Sequence, residues 1–180
     1  MTANREILHN AADGEIGKKT MKHLKWLWLS LAIIIADQAT KYWAEHVLGW
    51  DGLIPILPVF DFSLVHNTGS AFGFLSSMGG WQQVFFVTLA GVISLVLAIA
   101  MARLQSFERH LAVAYSLVIA GAIGNAIDRM VYQYVVDFIH WFYQSYHFPH
   151  FNIADISIFI GAAMLFAEAF GKPFLNTKPT

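Results

Sequence analysis

Residues 84–102 form a predominantly apolar stretch without a charged side chain, and this stretch constrains the fold more than any other feature of the sequence. A helix needs about 20 predominantly apolar residues to cross the hydrocarbon core of a bilayer. Three further stretches approach this description, at residues 26–48, 110–127 and 156–170, although the last is short unless residues 151–155 are also embedded. Only 13% of the residues are charged, whereas a soluble domain usually carries about 25%. We therefore expect an α-helical integral membrane protein with four transmembrane helices.

The positions of the basic residues predict how these helices are oriented. Of the 11 Lys and Arg residues, all but Lys41 and Arg129 precede the first stretch, separate the second from the third, or follow the fourth. Basic residues accumulate on the cytoplasmic side of a membrane, so both termini are expected to be cytoplasmic. Residues 1–21 are polar and are expected to form a disordered extension, residues 22–172 the membrane domain, and residues 173–180 a cytoplasmic tail.

The segments that this topology places at the outer face favour a small sheet. Residues 59–66 and 131–138 partly alternate polar and apolar side chains, which is the pattern of short strands. Two such strands would form a sheet that rests on the membrane surface. Trp and Tyr side chains are enriched at membrane interfaces, and the outer segments carry several of them: Trp50, Trp81, Tyr132, Tyr134, Trp141, Tyr143 and Tyr146.

Polar side chains gather toward the outer half of the predicted membrane domain. Such groups are costly at membrane depth, and they normally face a protein interior or a water-filled cavity. Gly121, Asn125 and Arg129 recur at four-residue spacing and therefore share one face of the third helix, where small residues also allow close helix packing. The clustered polar residues are Asp37, Lys41, Asn125, Asp128, Arg129, Asp137, Asn152 and Asp155.

Several of these residues also have a purely structural interpretation. Asp37 and Lys41 are four residues apart, so their side chains share a helix face and are expected to form a buried ion pair. Arg129 could pair with Asp128 or extend to lipid headgroups. These alternatives describe support for the membrane domain without any role in chemistry.

Asp137 and Asp155 are harder to assign to structure alone. No Lys or Arg lies between them, and the neighbours of Asp137 are apolar. Either Asp155 or Asn152 could be a helix N-cap, but Asp137 caps no predicted helix. If the fold brings both carboxyls together away from water, they cannot both ionise and must share one proton. Such a pair can activate a water and protonate a carbonyl oxygen, and we interpret the distance from cations as the condition that lets the proton be shared.

Other chemistries find less support in the sequence. The chain has no Cys, which excludes a thiolate nucleophile, a disulfide framework and a Cys-based metal site. Its eight His residues lack the spacing of a helical zinc motif, and His140, His147 and His150 are expected to be interfacial side chains. The net charge of -1 argues against nucleic-acid binding. We expect no metal and no cofactor.

Five short motifs together resemble those of one family. They are DQATK at residues 37–41, NTGSAFG at 67–73, GAIGNAIDR at 121–129, VVDF at 135–138 and FNIAD at 151–155. Each motif is weak by itself, but five in order across four predicted helices are specific. The predicted membrane domain thus resembles the bacterial lipoprotein signal peptidases, also called signal peptidase II.

This resemblance implies an aspartic endopeptidase of the bacterial inner membrane. Its members remove signal peptides from prolipoproteins, cutting before a Cys that carries diacylglycerol, and are inhibited by globomycin. The resemblance implies a small outer β-cradle, a short lid helix following Asn67, and an active site near the outer face. The expected partners are diacylglyceryl-modified prolipoproteins and membrane lipids, with the chain acting as a monomer.

The implied roles of individual residues follow from the motifs that contain them. Asp137 and Asp155 would form the catalytic pair. The substrate would be bound by Asn67, Gly69, Asn125, Arg129 and Asn152, with structural support from Asp37, Lys41 and Asp128.

Two other classes of function fit parts of the sequence. A proton-coupled transporter could use the acids and Lys41 as a relay, but the polar groups gather at one interface and the second predicted helix carries no charge. A non-catalytic assembly factor could hold lipids in the same groove. Only a peptidase would shorten a lipidated prolipoprotein.

Overall fold

Four long helices and a small sheet make up the described part of the chain. The computed structural model describes residues 22–49, 52–69 and 80–171. The predicted extension and tail, Trp50 and most of the predicted lid lie outside these ranges. After a 3-10 turn at Leu24–Trp26, the helices are α1 Leu27–Val47, α2 Trp81–Ala102, α3 Arg109–Tyr132 and α4 Ile153–Ala169.

Two of these helices, α2 and α3, are long and apolar enough to cross a membrane. α2 exposes large apolar side chains such as Val84, Leu95 and Val96, as a lipid-facing helix does. α3 is mostly buried and packs against α1, α2 and α4, so it forms the centre of the helical domain. α1 and α4 form where transmembrane helices were expected, but their crossing of the membrane stays a prediction.

Glycines of α3 bring the neighbouring helices close to it. A side chain at Gly121 would meet the backbone carbonyl of Ala154 in α4, and one at Gly124 would lie 2.7 Å from the carboxylate of Asp37 in α1. The predicted close packing at small residues is therefore confirmed for both positions. It draws α1 and α4 against α3 at the depth of the clustered polar residues.

The substitution Gly124→Ala should lower the free energy of unfolding by about 1–3 kcal/mol, because overpacking a close contact forces neighbouring groups apart. The added methyl would lie 2.7 Å from Asp37 Oδ2 and 3.3 Å from Ala154 Cβ. Gly91→Ala in α2 is the matched control, since nothing lies within 4 Å of that position and Ala favours a helix. Thermal unfolding in detergent compares the two, and equal responses would contradict the packing argument.

The four strands form one antiparallel sheet in chain order, and they are β1 Leu53–Leu57, β2 Phe60–Asn67, β3 Val135–Tyr143 and β4 Tyr146–His147. β2 confirms the strand expected at residues 59–66, whereas β1 and β4 were not predicted. β1 contains Pro55, which lacks a backbone donor, and it lies at the edge of the sheet where that loss is tolerated.

The second predicted strand, at residues 131–138, is wrong in its first half. α3 continues to Tyr132 and ends at Gln133, whose φ of 65° is left-handed, and β3 begins only at Val135. A short alternating run does not distinguish the last turn of a helix from the start of a strand. The consequence is that Asp137 follows the end of α3 by only a few residues.

Candidate active site

Backbone pairing between β3 and the segment before α4 brings Asp137 and Asp155 to the same place. Ile139 N–H donates to the carbonyl of Phe151 at 2.9 Å, and Phe151 N–H donates back to Ile139 at 3.1 Å. This bridge holds the start of α4 beside the middle of β3. Phe138 and Ile139 of β3 belong to the same buried apolar cluster as Ala44, near the C-terminal end of α1.

The first turn of α4 is closed by a reciprocal capping box. The Asn152 side chain accepts a hydrogen bond from Asp155 N–H at 2.9 Å, and Asp155 Oδ2 accepts one from Asn152 N–H at 3.3 Å. Asn152 is therefore the N-cap, and Asp155 occupies the third helical position. The structural and the chemical interpretations of Asp155 are compatible, because capping engages Oδ2 and leaves Oδ1 for a second contact.

Asp137 is buried and accepts hydrogen bonds at both carboxyl oxygens. Asn152 Nδ2 donates to Oδ1 at 2.7 Å, and Asn67 Nδ2, at the end of β2, donates to Oδ2 at 3.0 Å. Burial and then the charge of Asp155 raise the pKa of Asp137 from 3.8 to about 7. Asp137 is thus poised to hold a proton near neutral pH, as a general acid requires.

Asn125 connects Asp155 to a buried cation. Its Nδ2 donates to Asp155 Oδ1 at 2.8 Å, while its Oδ1 accepts from Lys41 Nζ at 2.9 Å. Asn152 Nδ2 also donates to Asn125 Oδ1, at 3.2 Å. The two acids and the three amide side chains therefore form one continuous hydrogen-bonded cluster.

The predicted ion pair between Asp37 and Lys41 is confirmed, and it is larger than expected. Lys41 Nζ lies 2.8 Å from Asp37 Oδ2 and 2.8 Å from Asp128 Oδ2. Asp128 also accepts from Gln38 Nε2 at 2.8 Å and from Val136 N–H at 3.1 Å. This group joins α1, α3 and β3, and Gln38 is a member that sequence reasoning missed.

Of the two structural alternatives for Arg129, the pair with Asp128 does not form, and Asp128 contacts Lys41 instead. Its Nη2 donates to the Gly69 carbonyl at 2.9 Å, and its guanidinium lies 4.7 Å from the centroid of the Phe86 ring. Gly69 N–H in turn donates to Asn67 Oδ1 at 3.0 Å. Arg129 is buried, so the other alternative, extension to lipid headgroups, is wrong as well.

We inferred from the sequence that the two acids lie away from cations, and in the folded structure this is wrong. The charge of Lys41 opposes the rise in the pKa of Asp137, and the Arg129 guanidinium interacts electrostatically with both Asp137 and Asp155. The search for cations covered only the residues between the two acids, whereas Arg129 lies on α3 just before them and Lys41 lies on α1, far away in the sequence. Burial and the neighbouring carboxylate outweigh the cation at Asp137.

A second polar cluster, which was not predicted, is formed by side chains of β2, β3, β4 and the segment before α4. His140 is buried rather than interfacial; its Nδ1 lies 3.1 Å from Asp61 Oδ1, and its ring stacks on His150 at 4.3 Å between centroids. His147 Nδ1 lies 3.1 Å from His140 Nε2. Burial and the nearby His140 lower the pKa of His150 to about 4. The described residues contain no group of three or more His, Asp or Glu side chains arranged to hold a metal ion.

Comparison with known proteins gives consistent results. The family model described as signal peptidase (SPase) II matches residues 29–171. The lipoprotein signal peptidase of Pseudoalteromonas translucida is 49% identical over 147 residues, covering 82% of this chain and 89% of the relative. That of Vibrio campbellii is 42% identical over 155 residues, covering 85% and 92%.

Solved structures agree with these sequence relatives. A bacterial membrane enzyme solved by the in meso method at 2.3 Å superposes with a TM-score of 0.73 at 32% identity, covering 87% of this chain and 93% of that one. A second, at 1.9 Å, gives 0.70 at 31% identity, covering 81% and 92%. Because the family model and the relatives match most of its length, the chain belongs to the signal peptidase II family.

Proposed function

We propose that this chain is an intramembrane aspartic endopeptidase that removes signal peptides from prolipoproteins, cutting before the diacylglyceryl-modified Cys. Its relatives are named lipoprotein signal peptidases. The observation that carries the aspartic assignment is the sharing of Asn152, whose Nδ2 donates to Asp137 while its Oδ1 caps the helix turn of Asp155. Asn152 thus contacts both carboxyls, that of Asp137 through its side-chain amide and that of Asp155 through its backbone N–H.

The proposed reaction uses the pair with one proton between its two members. The ionised carboxyl removes a proton from water as the water oxygen attacks the scissile carbonyl carbon. The protonated carboxyl donates its proton to the carbonyl oxygen, so a tetrahedral diol forms. The carboxyl that took the water proton then donates it to the leaving nitrogen as the C–N bond breaks. The other carboxylate takes a proton from a diol hydroxyl as the new carboxylic acid forms, so the pair is again singly protonated.

The surrounding polar groups suit an extended peptide in the cleft. Arg129 is buried, and among the described residues its Nε has no hydrogen-bond partner, so it could donate to a substrate carbonyl. We assign Asn67, Gly69, Asn125 and Asn152 to the same cleft, with Asp37, Lys41 and Asp128 as structural support.

The membrane arrangement that we propose has four spans and both termini in the cytoplasm of a bacterial cell. The site then lies near the outer face of the inner membrane, where a lipidated precursor can enter sideways from the bilayer. Residues 22–172 form the peptidase domain, which acts as a monomer in contact with membrane lipids. A lid following Asn67 and inhibition by globomycin belong to the same proposal.

Cleavage of a purified precursor tests this function directly. The purified chain in detergent is mixed with a diacylglyceryl-modified prolipoprotein, and the products are resolved by gel shift and mass spectrometry. We expect a product that begins at the lipidated Cys, and its loss when globomycin is added. The same precursor without diacylglycerol is the matched control and should stay intact. No shortened product under any of these conditions would favour a transporter or a lipid-holding factor.

Activity and stability should both depend on the protonation of Asp137. Because its pKa is raised from 3.8 to about 7, the folded protein binds this proton more tightly than the unfolded chain does. The free energy of unfolding should therefore fall as pH rises from about 4 to about 7, and cleavage should decline above about pH 7 as the shared proton is lost. Thermal unfolding and kcat/KM across this range measure both effects. Asp137→Asn should remove the decline in stability, and an unchanged slope would contradict the assignment.

A further inference from the structure

Lys41 is a buried cation that takes no part in the proposed reaction, yet its contacts reach the reacting pair. Its ammonium group has three acceptors, at 2.8 Å from Asp37, 2.8 Å from Asp128 and 2.9 Å from Asn125. An ammonium group carries three N–H donors and no acceptor. Each donor is matched by one oxygen, so the contact with Asn125 requires its Oδ1 and excludes its Nδ2.

This contact determines which way the Asn125 amide faces. With Oδ1 held by Lys41, the Nδ2 group points at Asp155 and donates to Oδ1 at 2.8 Å. A hydrogen bond to a carboxylate favours its charged form. The bond from Asn152 Nδ2 to Asn125 Oδ1 is longer, at 3.2 Å, and that Nδ2 also donates to Asp137 at 2.7 Å. Lys41 is therefore the dominant partner of the Asn125 oxygen.

The charged groups around this connection come from four elements. Asp37 lies on α1 with Lys41, Asp128 and Arg129 lie on α3, Asp137 lies on β3, and Asp155 lies on α4. Asp37 and Asp128 outnumber Lys41, so the group formed by these three side chains is not net positive. Lys41 also acts on Asp137 directly through its charge, whereas the amide that it orients donates a hydrogen bond to Asp155 alone.

Each carboxyl accepts two hydrogen bonds from N–H groups, those of Asp137 coming from Asn67 and Asn152, so the position of Asp155 in the fold supplies the difference. Asp155 lies in the first turn of α4, where the helix dipole favours negative charge. Its Oδ2 accepts from the backbone N–H of Asn152. Asp137 lies on a strand, without a helix terminus behind it.

We propose that Lys41 is a positioning residue: by holding Asn125 Oδ1 it directs the amide N–H onto Asp155, which makes Asp155 the ionised member of the pair and leaves the shared proton on Asp137. In the reaction, Asp155 is then the base that activates water, and Asp137 is the acid that protonates the carbonyl oxygen. This inference rests on the proposed peptidase function and specifies it.

The double variant Lys41→Met with Asp37→Asn tests the role of the ammonium group. It removes one positive and one negative charge together, so the buried group keeps its net charge while Asn125 loses its main partner. We expect the acidic limb of the cleavage profile to move to higher pH by about one unit. At a pH on that limb, kcat should fall about tenfold with KM little changed.

Ser30→Ala is the matched control on the same helix. Ser30 is buried, like Lys41, and donates to the carbonyl of Ser116 at 2.8 Å, but it lies away from the acids. It should lower thermal stability without moving the pH profile. An unmoved acidic limb in the folded double variant would overturn the proposal.

A measurement on the unmodified protein applies even if the double variant does not fold. The aspartate carboxyl carbons are labelled with ¹³C, and their chemical shifts are followed as the pH is lowered from the alkaline side. We expect the shift of Asp137 to report protonation of its carboxyl before the shift of Asp155 does. Protonation of Asp155 before Asp137 would overturn the assignment. Because this titration needs no substrate, it separates failure of the inference from failure of the proposed peptidase activity.

Discussion

Asp137→Asn and Asp155→Asn should each lower the rate of prolipoprotein cleavage at least about 10⁴-fold, because each removes one half of a concerted acid–base pair. An Asn side chain has nearly the shape of Asp but can neither accept a proton from water nor return one to the leaving group. The rate is measured with the diacylglyceryl-modified precursor at saturating concentration. Both variants should remain folded and inserted in the membrane.

The local contacts explain why the folded state should tolerate these substitutions. At position 137, an Asn oxygen can still accept from Asn152, and the neutral Asn replaces a carboxyl that we expect to be protonated near neutral pH, although its contact with Asn67 is poorer. At position 155, an Asn oxygen can still accept from Asn152 N–H and so keep the contact that closes the first turn of α4, while the contact with Asn125 is lost. The expected loss is therefore in chemistry rather than in folding.

Asp61→Asn is the matched control for both substitutions. Asp61 is also a buried carboxylate on the sheet, but it contacts His140 and Ser63 in the second polar cluster. We expect this variant to keep most of its cleavage activity. Near-normal turnover in either Asp137→Asn or Asp155→Asn would show that the pair does not carry the reaction.

Asn152→Ala should combine a loss of stability of about 2–4 kcal/mol with a loss of activity of about 10²-fold or more. Asn152 is fully buried. Its removal takes one hydrogen-bond partner away from each of three groups: Asp155 N–H, the Val136 carbonyl and Asp137 Oδ1. Thermal unfolding and cleavage kinetics measure the two losses separately.

Asn152→Asp separates the two roles of this side chain. An Asp at this position keeps an oxygen that can cap α4, because Asp and Asn are comparable N-caps. It cannot donate to Asp137, and it adds a third carboxylate to the cluster. We therefore expect stability closer to that of the unmodified protein than Asn152→Ala shows, but an equally severe loss of activity. Parallel losses of stability and activity in both variants would assign Asn152 to folding alone.

The regular elements could be predicted to different degrees, for identifiable reasons. The helices were found because a long apolar run is unambiguous, and β2 was found because polar and apolar residues alternate along it. β1 was missed because Pro55 argues against a strand unless that strand lies at the edge of a sheet. Which strand lies at the edge is known only once the sheet has assembled. The start of β3 was misplaced because the end of α3 carries the same short alternation.

The second polar cluster shows that the sequence of a single segment does not reveal its contacts with other segments. Asp61 and His140 lie directly opposite each other in the β2–β3 register, but nothing in either segment indicates that the two strands pair in this register. His140 was therefore expected at the interface and is instead buried. A prediction of how β2 and β3 pair would have been needed to place Asp61 opposite His140.

The sequence by itself determined which residues are candidates for the site: two acids in apolar segments, a Lys one helical turn after an Asp, and amides in short motifs. Only the tertiary structure decided their partners. Asp128 binds Lys41 rather than its neighbour Arg129, and Arg129 binds the Gly69 carbonyl. The physical reason is that spacing along one helix reports only neighbours on that helix. The orientation of Asn125, and hence the environment of Asp155, depends on an ammonium group that α1 brings to α3 and α4 through close packing at Gly124.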